Sequence, residues 1–356
     1  MRVAVYTIAL NEEQFIEKWY KSAKDADYLL IADTGSDDGT LDTAKKFGIN
    51  TTTVLVKPWR FDNARNASLA AIPADIDYCI ALDMDEVLMP GWREELEKAH
   101  KQGFTRPRYQ YTWSWNDKEE TVPGLQYGGD KIHTRFGYRW KHPVHEVLVA
   151  DRIEEKQGWT GLEIHHHPDH SKSRGQYMPL LKVAVDEDPN DDRNTFYYAR
   201  ELFFHFQFDE AKKEFKRHLA IPSAKWPPER AASMRFIAKS SKGKERERWF
   251  KKAIEEAPNR REAYVELALD YYNNQKWEEC LEYSERALAI RNKPLEYLCE
   301  DFAWNDTPYD LAAISSYTLG KYDDAVKYGI AAVRLNPSDQ RLQSNLSHYS
   351  KKVINQ

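Results

Sequence analysis

Tyr28-Leu29-Leu30-Ile31-Ala32-Asp33-Thr34-Gly35-Ser36-Asp37-Asp38-Gly39-Thr40 passes directly from an apolar run into a polar, glycine-bearing turn, and a helical pattern through Leu41, Ala44 and Phe47 follows. The same unit precedes it. Arg2–Ala9 is rich in Val, Ile and Tyr and leads through Asn11-Glu12-Glu13 into a helical pattern carried by Phe15, Ile16, Trp19 and Tyr20. It also recurs downstream. Thr51–Val56 is followed by a helix near Asn63–Ala71, and Asp77–Leu82 stops at Asp83-Met84-Asp85-Glu86. Alternation of strand, polar loop and helix predicts an α/β domain with a parallel sheet covered by helices. Every polar cluster then lies at the C-terminal end of a strand, where open parallel sheets bind ligands.

Beyond Pro90 the pattern changes to aromatic strand-like segments, Arg108–Trp115, Lys131–Trp140 and Trp159–His167, which read as antiparallel additions completing the site. From about Tyr177 the chain is helical in pattern, with interleaved charges, so two domains are expected, residues 1–175 and 176–356, with the boundary near 175 to 190. Ala211, Arg246, Cys280 and Ala325 recur at spacings of 35, 34 and 45 residues, the last implying an insertion. Tyr264, Leu267, Ala268, Tyr271, Cys280 and Ala287, and again Ala313, Gly320, Tyr322, Ala325, Ala332 and Pro337, fall at offsets resembling the tetratricopeptide repeat. Arg246 breaks the small-residue preference.

With 41% hydrophobic and 31% charged residues in 356, the composition is that of a water-soluble globular chain. The longest apolar runs fall far short of the roughly 20 residues a membrane helix needs, and Met1–Leu10 lacks the features of a signal peptide, so a cytoplasmic location is expected. Cys79, Cys280 and Cys299 form no metal-type motif and read as buried thiols. The net charge of -5 disfavours DNA as a partner.

Ala9-Leu10-Asn11-Glu12-Glu13, Asp33 to Thr40, Ala64-Arg65-Asn66 and Asp83-Met84-Asp85-Glu86 together resemble glycosyltransferase family 2 in order and spacing. The resemblance covers roughly residues 1–175 and implies a GT-A fold, a nucleotide diphosphate sugar as donor with a UDP-sugar foremost, and an inverting transfer to an acceptor glycan, peptide or protein. It implies donor contacts at Thr7, Ala9, Asn11, Glu12, Asp33, Ser36, Arg65, Asp83 and Met84, with Asp33 against the base, and a metal ligand at Asp85. A departing nucleotide diphosphate requires neutralisation of its charge, which a hard divalent cation held by carboxylates supplies. Helix capping is the competing role for Asp37 and Glu12, and a surface ion pair for Arg65.

An inverting transfer also needs a base opposite the leaving group. Trp140-Lys141-His142-Pro143-Val144-His145-Glu146 packs an aromatic, a cation, imidazoles and a carboxylate together, and Glu146 is the expected base, with Asp169 second. In His165-His166-His167, strand alternation sends His165 and His167 to one face, and His167 is the preferred additional metal ligand, tilting the ion toward Mn²⁺ over Mg²⁺. Ser171-Lys172-Ser173-Arg174 reads either as a mobile cover over the diphosphate or as a solvated linker. The rival readings are a nucleotidyltransferase, a retaining transferase and a non-catalytic repeat scaffold. The first normally has a Gly-rich, Lys-bearing N-terminal loop, which Val5–Glu13 lacks. The helical repeats are expected to offer a surface for a partner or for self-association.

Overall fold

The structure is a computed structural model that describes residues 1–169, 175 and 177–354. The segment Ser171–Arg174, read above as a cover or linker, lies outside the described residues. The chain divides into two compact units, Met1–Glu187 and Asp188–Gln356.

The first unit opens with β1 (Val3–Ala9), α1 (Glu13–Ala23), β2 (Tyr28–Asp33), α2 (Thr40–Lys46), β3 (Asn50–Thr53), α3 (Phe61–Ala70) and β4 (Tyr78–Ala81). β1 pairs in parallel with β2 on one side and β4 on the other, and β8 (Ile132–Thr134) closes the edge antiparallel to β4, giving the order β3-β2-β1-β4-β8. The strand order therefore reverses between β1 and β4, which opens a crevice at their C-terminal ends. A strand inside a parallel sheet is buried on both faces, which is why these runs are continuously apolar. Val3, Val5, Ile31 and Ile80 pack under Ile16, Trp19 and Ala44 of the first two helices. Ala4, Tyr6, Leu30 and Cys79 face the other way, onto Leu69, Ile72, Tyr138 and Trp140.

β3 is shorter than the expected Thr51–Val56: pairing stops at Thr53, and Val54 turns inward onto Ala32 and Ala64. The expected single segment Lys131–Trp140 is split by Gly137, at φ +88°, into β8 and a strand of a separate hairpin, β9 (Tyr138–Lys141) with β10 (Val147–Ala150). Only a residue without Cβ adopts that backbone at little cost. A further sheet has the order β5 (Glu86–Leu88), β11 (Gln157–His166), β6 (Arg106–Thr112), β7 (Gln126–Gly129). The antiparallel register of β11 on β5 sets His166 opposite Glu86, directly after the Asp-Met-Asp turn. Helices α4 (Trp92–Lys101) and α5 (Tyr177–Glu187) complete the unit.

Inside this unit runs a buried polar chain. The Trp140 indole N–H donates to Tyr6 Oη at 2.9 Å, Tyr6 Oη lies 3.1 Å from His133 Nε2, and His133 Nδ1 lies 2.8 Å from the Thr134 carbonyl. A carbonyl only accepts, so Nδ1 carries the proton and Nε2 accepts from Tyr6. Burial above all, with Arg106 and Arg135 nearby, holds the His133 pKa down at about 4 against an ordinary 6.5, although the bond to the Thr134 carbonyl opposes the shift.

The second unit is helical. α6 (Asp192–Phe204) pairs with α7 (Phe208–Ala220), α8 (Pro227–Lys239) with α9 (Gly243–Glu256), α10 (Arg261–Asn273) with α11 (Trp277–Ala289), and α12 (Thr307–Thr318) with α13 (Tyr322–Leu335), before α14 (Gln340–Ile354). These successive hairpins form the tetratricopeptide-like repeat architecture. Ala211, Arg246, Cys280 and Ala325 each stand at the fourth residue of the second helix of a hairpin. Ala211, Cys280 and Ala325 are fully buried there, so the helices approach closely. Arg246 instead reaches out to the Ser241 carbonyl at 2.9 Å and Asp270 at 3.1 Å. Residues 290–306 form the insertion implied by the spacing, and include a 3-10 turn at Asp301–Ala303. Glu262 accepts from Glu300 N at 3.1 Å and Trp304 Nε1 at 3.0 Å, and Arg235 pairs with Glu266 at 2.7 Å and Glu300 at 2.8 Å. All three cysteines are free and buried, and no helix among the described residues is long and apolar enough to cross a membrane.

Ala325→Leu overpacks a sealed hairpin and lowers stability by about 1–3 kcal/mol, whereas Arg246→Ala costs less than about 1 kcal/mol; thermal unfolding compares them. The His133 imidazole is neutral when folded, and the unfolded chain takes up a proton first. Its stabilising contribution is present above pH 6.5 and is lost as pH falls toward 4, amounting to about 3 kcal/mol. Urea titrations at pH 7 and 4.5 show a smaller pH difference for His133→Gln than for the parent.

Candidate active site

The crevice begins with two loops that fasten each other. Asn11, at φ +56°, donates its backbone N–H to Ser36 Oγ at 2.9 Å and its side-chain amide to Asp37 at 2.8 Å, while Asp37 N–H donates back to Asn11 Oδ1 at 2.9 Å. Glu12 N–H donates to Thr40 Oγ1 at 2.8 Å. Asp33, buried at the end of β2, folds its carboxylate over its own turn and accepts from Gly35 N at 3.1 Å and Ser36 N at 3.2 Å. This Asx-type turn and the cross-loop bonds make the first two polar clusters one preorganised rim.

Asp33, Asn11, Glu12 and Ser36 thus come together as the sequence suggested. Thr7, Ala9 and Met84 do not join them through their side chains, since all three are buried. Thr7 lies inside β1 between two strands, Ala9 gives its carbonyl to Thr34 N, and Met84 packs into the core beneath the turn.

At the end of β4 lies a chain of charges. Asp83 receives Arg65 Nη2 at 2.7 Å and Lys131 Nζ at 2.6 Å, and Arg65 Nε donates to Glu146. Lys131 also donates to Glu86 at 3.0 Å, and Glu86 accepts from Tyr111 Oη at 2.6 Å and Asp83 N at 2.8 Å. Although burial opposes it, the two cations hold the Asp83 carboxyl far below the usual range. Burial likewise opposes the charge on Arg65, but Asp83 and Glu146 more than offset it. The Arg65 guanidinium lies over the Trp140 ring, 5.0 Å from its centroid. Its Nη1 is buried without a hydrogen-bond partner. Arg65, Asp83 and Glu146 were legible in the sequence; Lys131, Glu86 and Tyr111 were not singled out.

Asp85 faces a histidine, with His166 Nε2 3.3 Å from Asp85 Oδ2. His166 Nδ1 lies 2.9 Å from the Trp113 carbonyl, and its ring stacks on Trp113 at 4.5 Å. Burial lowers the His166 pKa, yet Asp85 and the Trp113 carbonyl raise it above its ordinary value. His167, expected beside Asp85, instead directs Nδ1 to Glu120 and stacks on Trp115, touching Asp85 only through its backbone N–H at 2.7 Å. The reason is the pleat: β11 turns His165 to one face and His166 to the other, His167 just past the strand end lies with His165, and His166 is the one set against Asp85. Asp169 accepts from Gln14 Nε2 at 3.1 Å at the mouth of α1.

No curated protein matches the sequence. Similar solved structures include YrrB, a TPR protein with an unusual peptide-binding site, at 14% identity and TM-score 0.40 over 49% of this chain and 84% of that one. MamA is similar at 15% identity and TM-score 0.37 over 45% of this chain and 86% of that one. Glucosyl-3-phosphoglycerate synthase from Mycobacterium tuberculosis, solved with Mn²⁺, uridine diphosphate and glucosyl-3-phosphoglycerate, is similar at 21% identity and TM-score 0.29 over 38% of this chain and 57% of that one. The sequence model of glycosyl transferase family 2 matches residues 4–144, a span that runs from β1 through both polar loops, Arg65 and the Asp-Met-Asp turn: this part of the chain is a glycosyl transferase family 2 domain.

Proposed function

We propose that the chain transfers a sugar from a nucleotide diphosphate sugar, a UDP-sugar foremost, to an acceptor hydroxyl with inversion, in a metal-dependent reaction. The observation that carries this reading is Asp85 facing His166 Nε2 at the switch point of a family 2 domain, with His166 Nδ1 held by the Trp113 carbonyl. A metal-binding imidazole characteristically gives its second nitrogen to such a carbonyl, which fixes the ring and aims the other lone pair. The surrounding charge agrees. Among the described residues, four carboxylates, Asp83, Asp85, Glu86 and Glu146, meet two permanent cations, Arg65 and Lys131, leaving an excess of negative charge that a divalent ion balances.

Asp85 and His166 would hold that ion, with His167 as the alternative imidazole, and Mn²⁺ is favoured over Mg²⁺ because imidazole suits it better. Bound there, the ion supplies neutralisation of the departing diphosphate. The remaining chemistry belongs to the chain. Asp33, Asn11, Glu12 and Ser36 line the nucleotide side, and Arg65 offers its unpartnered Nη1 to an oxygen of the donor. Asp83, fixed between Arg65 and Lys131, is placed to accept from donor hydroxyls. Glu146 spends one oxygen on Arg65, and its other oxygen takes the proton of the attacking acceptor hydroxyl. Asp169 remains the second choice for that base. The acceptor is a glycan, peptide or protein, and the helical hairpins supply the surface that recruits it or another copy of the chain.

Calorimetry with a panel of nucleotide sugars and Mn²⁺, Mg²⁺ or chelator tests this reading. One donor binds in a metal-dependent way, and Asp85→Ala and His166→Ala each weaken that binding more than about tenfold, while His167→Ala has the smaller effect. Absence of donor binding with every metal removes the transferase reading. Once an acceptor is identified, Glu146→Gln lowers kcat by about 100-fold or more with donor affinity within a few-fold of the parent. Steady-state rates paired with donor titrations check it, and an unchanged kcat moves the base to Asp169.

A further inference from the structure

Far along the sequence from the transferase residues, three helices of the repeat unit bring metal-binding groups together. α6 opens on Asp192, α7 carries His218 in its last turn, and α8 carries Glu229 in its first. Among the described residues this is the one group of three or more His, Cys, Asp or Glu whose ligand atoms all lie within 4.8 Å of one another. His218 is fully buried, and its Nε2 has no hydrogen-bond partner although Glu229 Oε1 stands 3.3 Å away. A plain imidazolium–carboxylate pair would align N–H with oxygen at that distance; here the nitrogen faces two carboxylates without doing so.

Each of the three groups is also held by a separate hydroxyl. Ser233 Oγ lies 2.8 Å from His218 Nδ1, Ser223 Oγ donates to Asp192 Oδ1 at 2.9 Å, and Tyr297 Oη donates to Glu229 Oε2. Outer hydrogen bonds of this kind fix the rings and carboxylates that bind metals. With Ser233 accepting from Nδ1–H, the Nε2 lone pair points at the cluster. Ligands about 2.0–2.1 Å from a tetrahedral Zn²⁺ stand roughly 3.3 Å apart, which is the separation of His218 Nε2 from Glu229 Oε1. Asp192, half-buried at the helix start, closes the third position by a side-chain rotation and leaves the fourth to water.

We infer that Asp192, His218 and Glu229 form a Zn²⁺ site that ties the first helical hairpin to the first helix of the second. One imidazole with two carboxylates and a low ligand count suits zinc, whereas Mg²⁺ demands six oxygen ligands. The inference does not depend on the transferase reading.

The test uses the full chain carrying Asp85→Ala, so that the site in the first unit contributes no metal. The protein is stripped with chelator, incubated with Zn²⁺ in excess Mg²⁺, desalted and assayed for zinc; Co²⁺ loading is followed by visible absorption. About one zinc per chain and tetrahedral Co²⁺ bands are expected, both absent when His218→Ala is added. Equal zinc content and equal Co²⁺ spectra in the two proteins, or no zinc in the parent, overturn the assignment. If circular dichroism shows that His218→Ala does not fold, Asp192→Asn decides: zinc affinity weakened by more than about tenfold supports the site, and unchanged affinity overturns it.

Discussion

The first unit is organised around the meeting of Arg65 and Asp83. A guanidinium this deeply buried is sustained only by full charge compensation, because removing a cation from water costs several kcal/mol that its partners must return. Asp83 and Glu146 return it from opposite sides, and Trp140 adds its ring face. Each partner comes from a different part of the fold: Arg65 from α3, Asp83 from the loop that follows β4, Glu146 from the turn of the β9–β10 hairpin. Satisfying one buried cation therefore fixes three elements relative to one another. Lys131 extends the arrangement by drawing Glu86 and the second sheet to the same point.

Much of this was legible in the sequence because it obeyed a local rule. The polar loops stand after apolar strands, which by itself puts Asn11, Asp33, Ser36, Asp83 and Asp85 at one end of the sheet. Arg65 and Glu146 followed from their motifs. What escaped notice depended on register. Lys131 sits on the approach to a short antiparallel edge strand, and Glu86 reads as the tail of the Asp-Met-Asp turn until Tyr111 and Lys131 converge on it. Among three consecutive histidines, alternation says only that the middle one differs from its neighbours. Which face meets Asp85 is decided by the pairing of His166 with Glu86, a contact between segments 80 residues apart that no local pattern encodes. Thr7 and Met84 show the opposite case: Thr7 is buried within β1, and Met84 packs into the core from the turn after β4.

The helical half was read from small residues, and Arg246 shows why that signal degrades. A position that ordinarily admits only a small side chain tolerates arginine when the stem can lie along the helix and the guanidinium can find Ser241 and Asp270. The insertion at residues 290–306 lengthens one repeat without disturbing the hairpins on either side.

That insertion changes how disorder would spread along the stack. In a simple solenoid each repeat senses only its neighbours, so unfolding proceeds like a zip from either end. Here Glu300 belongs to the segment after the third hairpin but binds Arg235 of the second, and Glu262 of the third grips the same segment through Glu300 N and Trp304. Information about the state of the second hairpin thus skips a link in the chain. The middle of the array acquires the character of a small globular protein, lost or kept as a whole.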